Sequence, residues 1–342
     1  MKLYDSNGYL NMEYIYNIDV PFIFICGGRG IGKTYGGIKY MDDNNIPFIL
    51  MRRTQVQADL IAKPEFSPLK PVLSARGLDF KVTPITKQCT GVYRMQGENI
   101  IDTMPWCYTA ALSTFSNMRG FTGDNVACTI YDEFIPEKHE RPLKNEGTAF
   151  LNFYETVNRN RELQGRLPMK VLAFANAFDM TNELFTTLGI VDLADKMAQN
   201  VSRETFIDKN RGFALIMPRR SEISSKKNNT AVYRLAGQEH EFTKMALCND
   251  FIYEDRGRIK SEPIAEYRPI VFVGELAIYK HKHGDRYYVT FHKTGSAPSF
   301  TSKTDDVLRF KRTYHWIWNC YMTDSIIFEK FSAQTYFKKL FD

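Results

Sequence analysis

A glycine-rich run that ends in lysine and threonine is the part of the sequence best suited to bind a phosphate. Residues 27–34 read Gly-Gly-Arg-Gly-Ile-Gly-Lys-Thr, which matches the pattern Gly-x4-Gly-Lys-Ser/Thr of a phosphate-binding loop. Glycines let backbone N–H groups turn toward phosphate oxygens, because a Cβ would clash at the required dihedral angles. In such a loop Lys33 reaches the β- and γ-phosphates, and the Thr34 hydroxyl binds Mg²⁺. The predicted nucleotide-binding residues are Gly27, Gly28, Arg29, Gly30, Ile31, Gly32, Lys33 and Thr34.

An acidic pair ends a second apolar run farther along the chain. Residues 126–133 read Val-Ala-Cys-Thr-Ile-Tyr-Asp-Glu. Asp132 is placed to hold the hydration shell of Mg²⁺, and Glu133 could act as the general base toward a water molecule. Taken alone, the pair could equally be a solvated turn, but a phosphate-binding loop upstream favours catalysis. An activated water favours hydrolysis over transfer of the phosphoryl group to a small substrate. The sequence has no Asn-Lys-x-Asp motif, with which GTPases recognise guanine, so the expected nucleotide is ATP.

Several polar side chains could complete such a site. Arg29 could touch the γ-phosphate within its own subunit, or only tether the loop. Arg159 and Arg161 follow a predicted helix, and their spacing alone favours a solvated helix end stabilised by the helix dipole. Asn176 follows a predicted strand, where its amide could sense the γ-phosphate or the water, or simply belong to a turn.

These residues require strands and helices that bring them together. Apolar runs bounded by glycine or polar residues predict buried strands, and apolar residues at helical spacing predict helices. Strands that alternate with helices indicate a parallel α/β sheet, with β-hairpins inserted over 78–112. The predicted strands are 20–26, 46–51, 126–131 and 169–174, and the predicted helices are 32–40 and 150–158.

The pattern changes after about residue 195. Residues 219–234 hold five basic residues against one acid, which is typical of a linker or small subdomain. Beyond them, 269–279 and 286–292 predict a hairpin, followed by aromatic-rich helices. The predicted domains are therefore 1–195, a linker over 196–235, and a smaller α+β domain over 236–342.

Composition narrows the class of protein. The 342 residues carry a net charge of +6, which is compatible with a polyanionic partner. No apolar run reaches the ~18 residues that span a bilayer, and the first residues lack the apolar core of a signal peptide, so a cytoplasmic location is expected. The six cysteines are scattered, so neither disulfides nor structural zinc is expected, and His281 and His283 fit an exposed basic loop better than a metal site.

Together these segments resemble the DNA-packaging (encapsidation) ATPases of small protein-primed podoviruses. The Asp-Glu-Phe-Ile segment at 132–135 and the Thr-Val-Asn-Arg-Asn-Arg-Glu segment at 156–162 carry most of the likeness. The other similar segments are 26–35, 51–53, 151–155 and 174–177, with a weaker match through 270–292 to the C-terminus.

The resemblance implies an ASCE-type P-loop ATPase that drives double-stranded DNA into an empty capsid. It implies a homopentameric ring on the portal of the procapsid, in the host cytoplasm and absent from the mature virion, and it leaves room for a structural RNA. It also implies that Arg159 is an arginine finger that enters the ATP site of the neighbouring subunit. This differs from the interpretation that spacing alone favoured, in which Arg159 lies at a solvated helix end. Arg119 occupies the position of a second trans-acting residue, where the family has lysine.

For the C-terminal domain, the resemblance implies an RNase H-like fold that has lost its catalytic acids. The strands near 270–292 offer only Glu275 and Asp285, whereas two-metal cleavage needs several converging carboxylates. Basic residues there suit phosphate contacts that do not read sequence. The candidate DNA-binding residues are Gln55, Lys63, Lys280, Lys282, Arg286 and Lys293.

Two alternatives stay open. The chain could be a large-terminase-type enzyme that also cuts DNA, or a slowly hydrolysing nucleotide switch that binds portal or capsid without moving DNA.

Overall fold

The chain divides into two units in the computed structural model. One unit combines Met1–Leu188 with Met197–Ile252, and the other combines Gly189–Lys196 with Tyr253–Asp342. The structure describes residues 2–118, 120–121, 123–137, 140–141, 143–176, 180–200, 202–219, 221–248 and 256–341.

Strands and helices alternate along much of the described chain. The strands are β1 (Phe22–Cys26), β2 (Phe48–Arg52), β3 (Asp79–Thr86), β4 (Cys89–Gln96), β5 (Asn99–Ile100), β6 (Cys107–Ala111), β7 (Cys128–Asp132), β8 (Lys170–Ala175), β9 (Thr205–Asp208), β10 (Phe213–Ile216), β11 (Tyr267–Val273), β12 (Leu276–His281), β13 (Tyr287–Thr290), β14 (Ser299–Phe300) and β15 (Ile326–Phe328). The helices are α1 (Met12–Tyr16), α2 (Lys33–Asp43), α3 (Gln55–Ile61), α4 (Leu69–Ser74), α5 (Glu146–Asn158), α6 (Glu183–Leu188), α7 (Val191–Gln199), α8 (Glu222–Lys227), α9 (Ala231–Ala236), α10 (Glu241–Thr243), α11 (Thr304–Thr313), α12 (His315–Met322) and α13 (Phe331–Phe341).

The first unit is built on one large sheet whose centre is parallel. Its strand order is β3-β4-β6-β2-β7-β8-β1-β10-β9, with β5 paired to β4. The six strands from β6 to β10 in this order run parallel. These strands are apolar nearly throughout because both faces of a parallel sheet are covered, and Ile25, Leu50, Ile130 and Leu172 lie in the core. The predicted parallel α/β sheet is confirmed, and β3–β4 is the hairpin predicted within 78–112.

The expected linker over 196–235 is not a linker throughout. Strand β10 pairs with β1 in the register Phe22 to Phe213, and β9 continues the sheet beyond it. Burial from both neighbours stabilises the four apolar residues of β10, a run too short to stand out in the sequence. The unit then continues through short helices within 222–248, past the expected boundary at 236.

The second unit is a mixed α+β structure. Its sheet has the order β14-β11-β12-β13-β15, in which β11, β12 and β13 form an antiparallel meander and the two outer strands pair in parallel. The hairpin predicted from 269–279 and 286–292 is confirmed for β12 and β13. The predicted first strand is not continuous, because Gly274, with a φ of 54°, turns the chain between β11 and β12, which pair antiparallel. Side chains of the sheet and of the last three helices share one core, including Val271, Ile278, Val289, Phe310 and Phe337. The RNase H-like relationship stays a prediction.

Among the described residues, no helix is both long enough and apolar enough to cross a membrane.

Candidate nucleotide-binding site

The glycine-rich loop connects β1 to α2, as the sequence predicts. Gly30 and Gly32 have φ angles of 71° and 90°, a left-handed conformation that glycine adopts without a steric penalty. Gly32 is the N-cap of α2, so the helix begins at Lys33. The loop therefore presents backbone N–H groups and a helix N-terminus at one end of the sheet, an arrangement suited to anions.

Lys33 lies buried inside this loop. Its ammonium donates to the carbonyls of Gly27 and Gly28 at 2.8 and 2.7 Å and to Asn176 Oδ1 at 3.1 Å. Burial lowers its pKa to about 8, while the charge of Asp132 opposes the shift. Sequence reasoning placed Asn176 near the phosphates, and the structure brings it to the lysine of the loop.

Thr34 and Asp132 meet directly, although they lie on different elements. The Thr34 hydroxyl lies 3.0 Å from both carboxylate oxygens of Asp132, at the end of β7. A hydroxyl and a buried carboxylate are hard oxygen ligands of the kind that Mg²⁺ prefers, with water completing the coordination. The two side chains thus fit the predicted metal site.

Glu133 follows β7 with a positive φ of 59°, which turns the chain away from the strand. Burial, together with Asp132, raises the pKa of Glu133, and the guanidinium of Arg52 opposes that shift. Arg52 ends β2, the strand beside β7. Its Nη2 lies 2.9 Å from Asp132 Oδ2, and its Nη1 pairs with Glu133 Oε2.

Sequence reasoning missed the role of Arg52. The signal that could have revealed it is a cation at the carboxyl end of one parallel strand and two acids at the end of another.

The neighbouring Arg53 belongs to a buried network that fixes α5. Its Nε donates to Glu146 Oε1 at 2.9 Å and its Nη2 to Oε2 at 3.1 Å, and the Tyr131 hydroxyl donates to the same carboxylate at 2.7 Å. Since Glu146 begins α5 and Arg159 follows its last residue, this network anchors the helix that carries Arg159.

Arg29 is tied to its surroundings in this conformation. Its Nη2 lies 2.5 Å from Glu137 Oε1, its guanidinium lies 5.6 Å from the Phe242 ring centre, and its backbone N–H donates to Ala246 O at 2.8 Å. These contacts correspond to the tether that the sequence left open, and a γ-phosphate contact stays a prediction.

The two arginines after α5 differ in their surroundings. Arg159 is exposed, has a φ of 48°, and donates to Phe121 O at 2.8 Å. Arg161 is buried and donates to Val126 O at 2.7 Å and to Gly123 O at 3.1 Å. The expected trans-acting or sensor role of Arg161 conflicts with this position, because its guanidinium already satisfies backbone carbonyls within its own chain. Arg119 lies outside the described residues.

The candidate DNA-binding side chains lie on elements other than the nucleotide-binding loop. Gln55 bonds Asp59 and Thr114 at 2.7 and 2.5 Å, and Lys63 is exposed. In the second unit Lys280 pairs with Asp285 at 3.1 Å, and Lys282 is exposed.

The loop and the acidic pair line one cavity of about 810 Å³, a size typical of small-molecule sites. Its other walls come from the N-terminal segment and from α2, including Tyr9, Leu10, Met12, Tyr35 and Tyr40. Lys33, Thr34, Asp132, Glu133 and Asn176 all face this cavity, so the predicted residues from three separate segments meet in one place.

The chain is similar to known proteins over most of its length. The family model described as podovirus DNA encapsidation protein (Gp16) matches residues 4–264. The DNA packaging protein of Bacillus phage phi29 is 25% identical over 327 residues, which cover 91% of this chain and 90% of the relative. That of Bacillus phage B103 is 26% identical over 235 residues, 67% of this chain and 64% of the relative.

Two solved structures share the fold over nearly the whole chain. One, from the bacteriophage Phi-29 viral genome packaging motor assembly, has a TM-score of 0.66 at 18% identity and covers 97% of this chain and 98% of its own. The other, the Phi-28 gp11 DNA packaging motor, has a TM-score of 0.64 at 19% identity and covers 98% and 97%. With the family model spanning most of its length, this chain belongs to the podovirus DNA encapsidation (Gp16) family.

Proposed function

We propose that this chain is the ATP-hydrolysing subunit of a motor that moves double-stranded viral DNA into a procapsid. The observation that carries the proposal is the meeting of Lys33, Thr34, Asp132 and Glu133 around one cavity. Membership of the DNA encapsidation family supports DNA as the cargo.

Each residue of the cavity has a chemical role in this proposal. Lys33 neutralises charge on the β- and γ-phosphates, and the loop N–H groups position them. Thr34 and Asp132 would hold Mg²⁺, which neutralises phosphate charge when bound. Glu133 accepts the proton of the attacking water.

Glu133 must be ionised to accept that proton. Partial burial raises its pKa and the guanidinium of Arg52 opposes that shift, so Arg52 favours the ionised carboxylate. The same ion pair fixes where the carboxylate points.

We place Arg159 in the catalytic site of a neighbouring subunit, which requires a homo-oligomer that we take to be a pentameric ring. An exposed arginine at the end of a helix can cross a subunit boundary, and its loop carries two apolar side chains, Leu163 and Leu167, that are 87% and 88% exposed. Large apolar side chains exposed this far are suited to burial against another protein surface. We propose the same boundary for Arg119, a proposal that the resemblance alone supports.

The remaining parts of the proposal concern DNA and assembly. Gln55 and Lys63, in or beside α3, and Lys280 and Lys282, on the hairpin of the second unit, are proposed to contact DNA phosphates. We propose that the ring docks on the portal vertex of the procapsid in the host cytoplasm, where a structural RNA could join it.

The ATPase rate with and without double-stranded DNA tests the proposal, measured together with the mass of the particle. A DNA-stimulated rate in a ring-sized particle is expected, and Lys33→Ala is the inactive control. A monomer that hydrolyses ATP at one slow rate, with or without DNA, would instead support the nucleotide switch.

The terminase-type alternative predicts DNA cleavage. Among the described residues, no group of three or more His, Cys, Asp or Glu side chains could hold a metal ion. A plasmid-nicking assay with Mn²⁺ separates the two hypotheses, because a motor without nuclease activity leaves the plasmid supercoiled.

A further inference from the structure

A second lysine, outside the sequence motif, contacts the phosphate-binding loop. Lys227 is the last residue of α8, and its ammonium donates to the carbonyl of Arg29 at 3.0 Å. A Cβ built on Gly30 would lie 1.7 Å from Lys227 Nζ, so the absence of a side chain at Gly30 is what admits the ammonium.

Packing on both sides of α8 holds this lysine in place. The hydroxyl of Ser221, just before the helix, donates to Gly8 O at 2.7 Å. A Cβ on Gly8 would lie 2.8 Å from the Cβ of Glu222, so the backbone approaches α8 closely there. After the helix, the chain returns to the loop, where Ala246 O accepts from the Arg29 N–H. The segment 221–248 therefore packs against the N-terminal segment and the loop, and these contacts fix the position of α8 and of Lys227.

The charges around the loop point to an anion. Three cations, Lys33, Arg29 and Lys227, lie at the loop. Burial is the main cause of the lowered pKa of Lys33, Asp132 opposes the shift, and Arg29 and Lys227 add to it by repulsion. Partial burial also lowers the pKa of Lys227. Arg29 has a carboxylate partner in Glu137. Among the described contacts, the partner of the Lys227 ammonium is a neutral carbonyl, although an ammonium has three donors. Lys227 adds a positive charge beside a loop of backbone N–H groups, an arrangement that a bound polyanion would stabilise.

We propose that Lys227 is a second phosphate-binding lysine of this site and contacts the polyphosphate of the bound nucleoside triphosphate. This inference rests on the proposed function, since it names a further residue of the same site. The segment 221–248 would then contact the ligand directly through Lys227, so that the bound polyphosphate stabilises the position of α8.

The test compares Lys227→Met with Lys226→Met. Lys226 precedes it on α8 and is exposed, so both variants remove one charge from the same helix. Affinity is measured by calorimetry for MgATP and for inorganic tripolyphosphate, which has no base or sugar. A lost charge-assisted hydrogen bond predicts that Lys227→Met weakens both ligands about ten- to a hundredfold, while Lys226→Met stays near wild type. Lys227→Arg should recover most of the affinity because it restores the charge, and thermal unfolding checks that each variant is folded.

The outcomes separate this inference from the proposed function. Equal affinities of Lys227→Met and wild type overturn the role of Lys227 while leaving the ATPase intact. Loss of affinity that Lys227→Arg does not recover also overturns it, since a purely structural role for the lysine would account for that result. Failure of the wild-type protein to bind MgATP would instead overturn the proposed function.

Discussion

Arg52 connects two carboxylates that differ sharply in burial, and this difference gives a quantitative prediction. The Arg52 side chain is 12% exposed, that of Asp132 is 5% exposed, and that of Glu133 is 53% exposed. Removing one partner of a buried pair leaves an uncompensated charge and costs about 3–5 kcal/mol. Exposed pairs contribute about 0.2–1 kcal/mol, because water screens them.

Double-mutant cycles separate the two pairs. The cycle of Arg52→Met with Asp132→Asn should give a coupling energy of about 2–3 kcal/mol, within the range for contacting residues. The cycle of Arg52→Met with Glu133→Gln should give about 1 kcal/mol or less. The measurement is urea unfolding of the nucleotide-free protein, followed by circular dichroism. Equal coupling energies, or a larger one for Glu133, would refute the ranking of the two pairs by burial.

The same substitution predicts a change in the pH dependence of hydrolysis. Arg52 opposes the raised pKa of Glu133, so Arg52→Met raises that pKa further. Because the carboxylate is the active form, activity is lost as the pH falls through its pKa, and the acidic limb of kcat/KM should move to higher pH. Arg211→Met, at an exposed arginine that bonds a backbone carbonyl, is the control and should leave the limb in place. An unmoved or lowered limb in Arg52→Met would contradict the role assigned to this pair.

Three further predictions concern the proposed motor. Glu133→Gln should still bind ATP but release phosphate about 10²- to 10⁴-fold more slowly, and undiminished turnover would remove Glu133 from the mechanism. Arg159→Ala subunits mixed into wild-type rings should inhibit hydrolysis by intact neighbours, whereas a strictly proportional loss of activity would argue against action in trans. Replacing Leu163 and Leu167 together by serine should weaken self-association by roughly 2–5 kcal/mol if both side chains are buried between subunits; sedimentation measures it, and Leu60→Ser, at another exposed leucine, is the control.

The sequence predicted the parts of the site that are local. The loop at 27–34 and the pair at 132–133 are contiguous motifs, and each lies at the end of an apolar run that forms a buried strand. Their meeting across the sheet followed from the parallel α/β pattern alone, since parallel strands bring their carboxyl ends to one edge.

What the sequence could not provide is the order of the strands. Arg52 touches Asp132 and Glu133 only because β2 lies beside β7, and Lys227 reaches the loop only because the segment after β10 returns to it. The burial of Arg161 likewise depends on carbonyls contributed by 123–126, far away in the sequence. Spacing along the chain carries no information about such contacts.

The position of β10 has a consequence for the order in which the protein forms on the ribosome. Strand β1, which leads into the nucleotide-binding loop, has β8 on one side and β10 on the other. Translation at about 5–20 residues per second separates Phe22 from Phe213 by roughly ten to forty seconds, and through that interval one edge of β1 has no strand to pair with. An unpaired apolar edge is a template for association with other chains. A chain that ends near residue 195 lacks β10 and should therefore aggregate, whereas a chain that ends near residue 252 contains β10 and should not. The strand that begins the nucleotide site is thus among the last of its sheet to be enclosed.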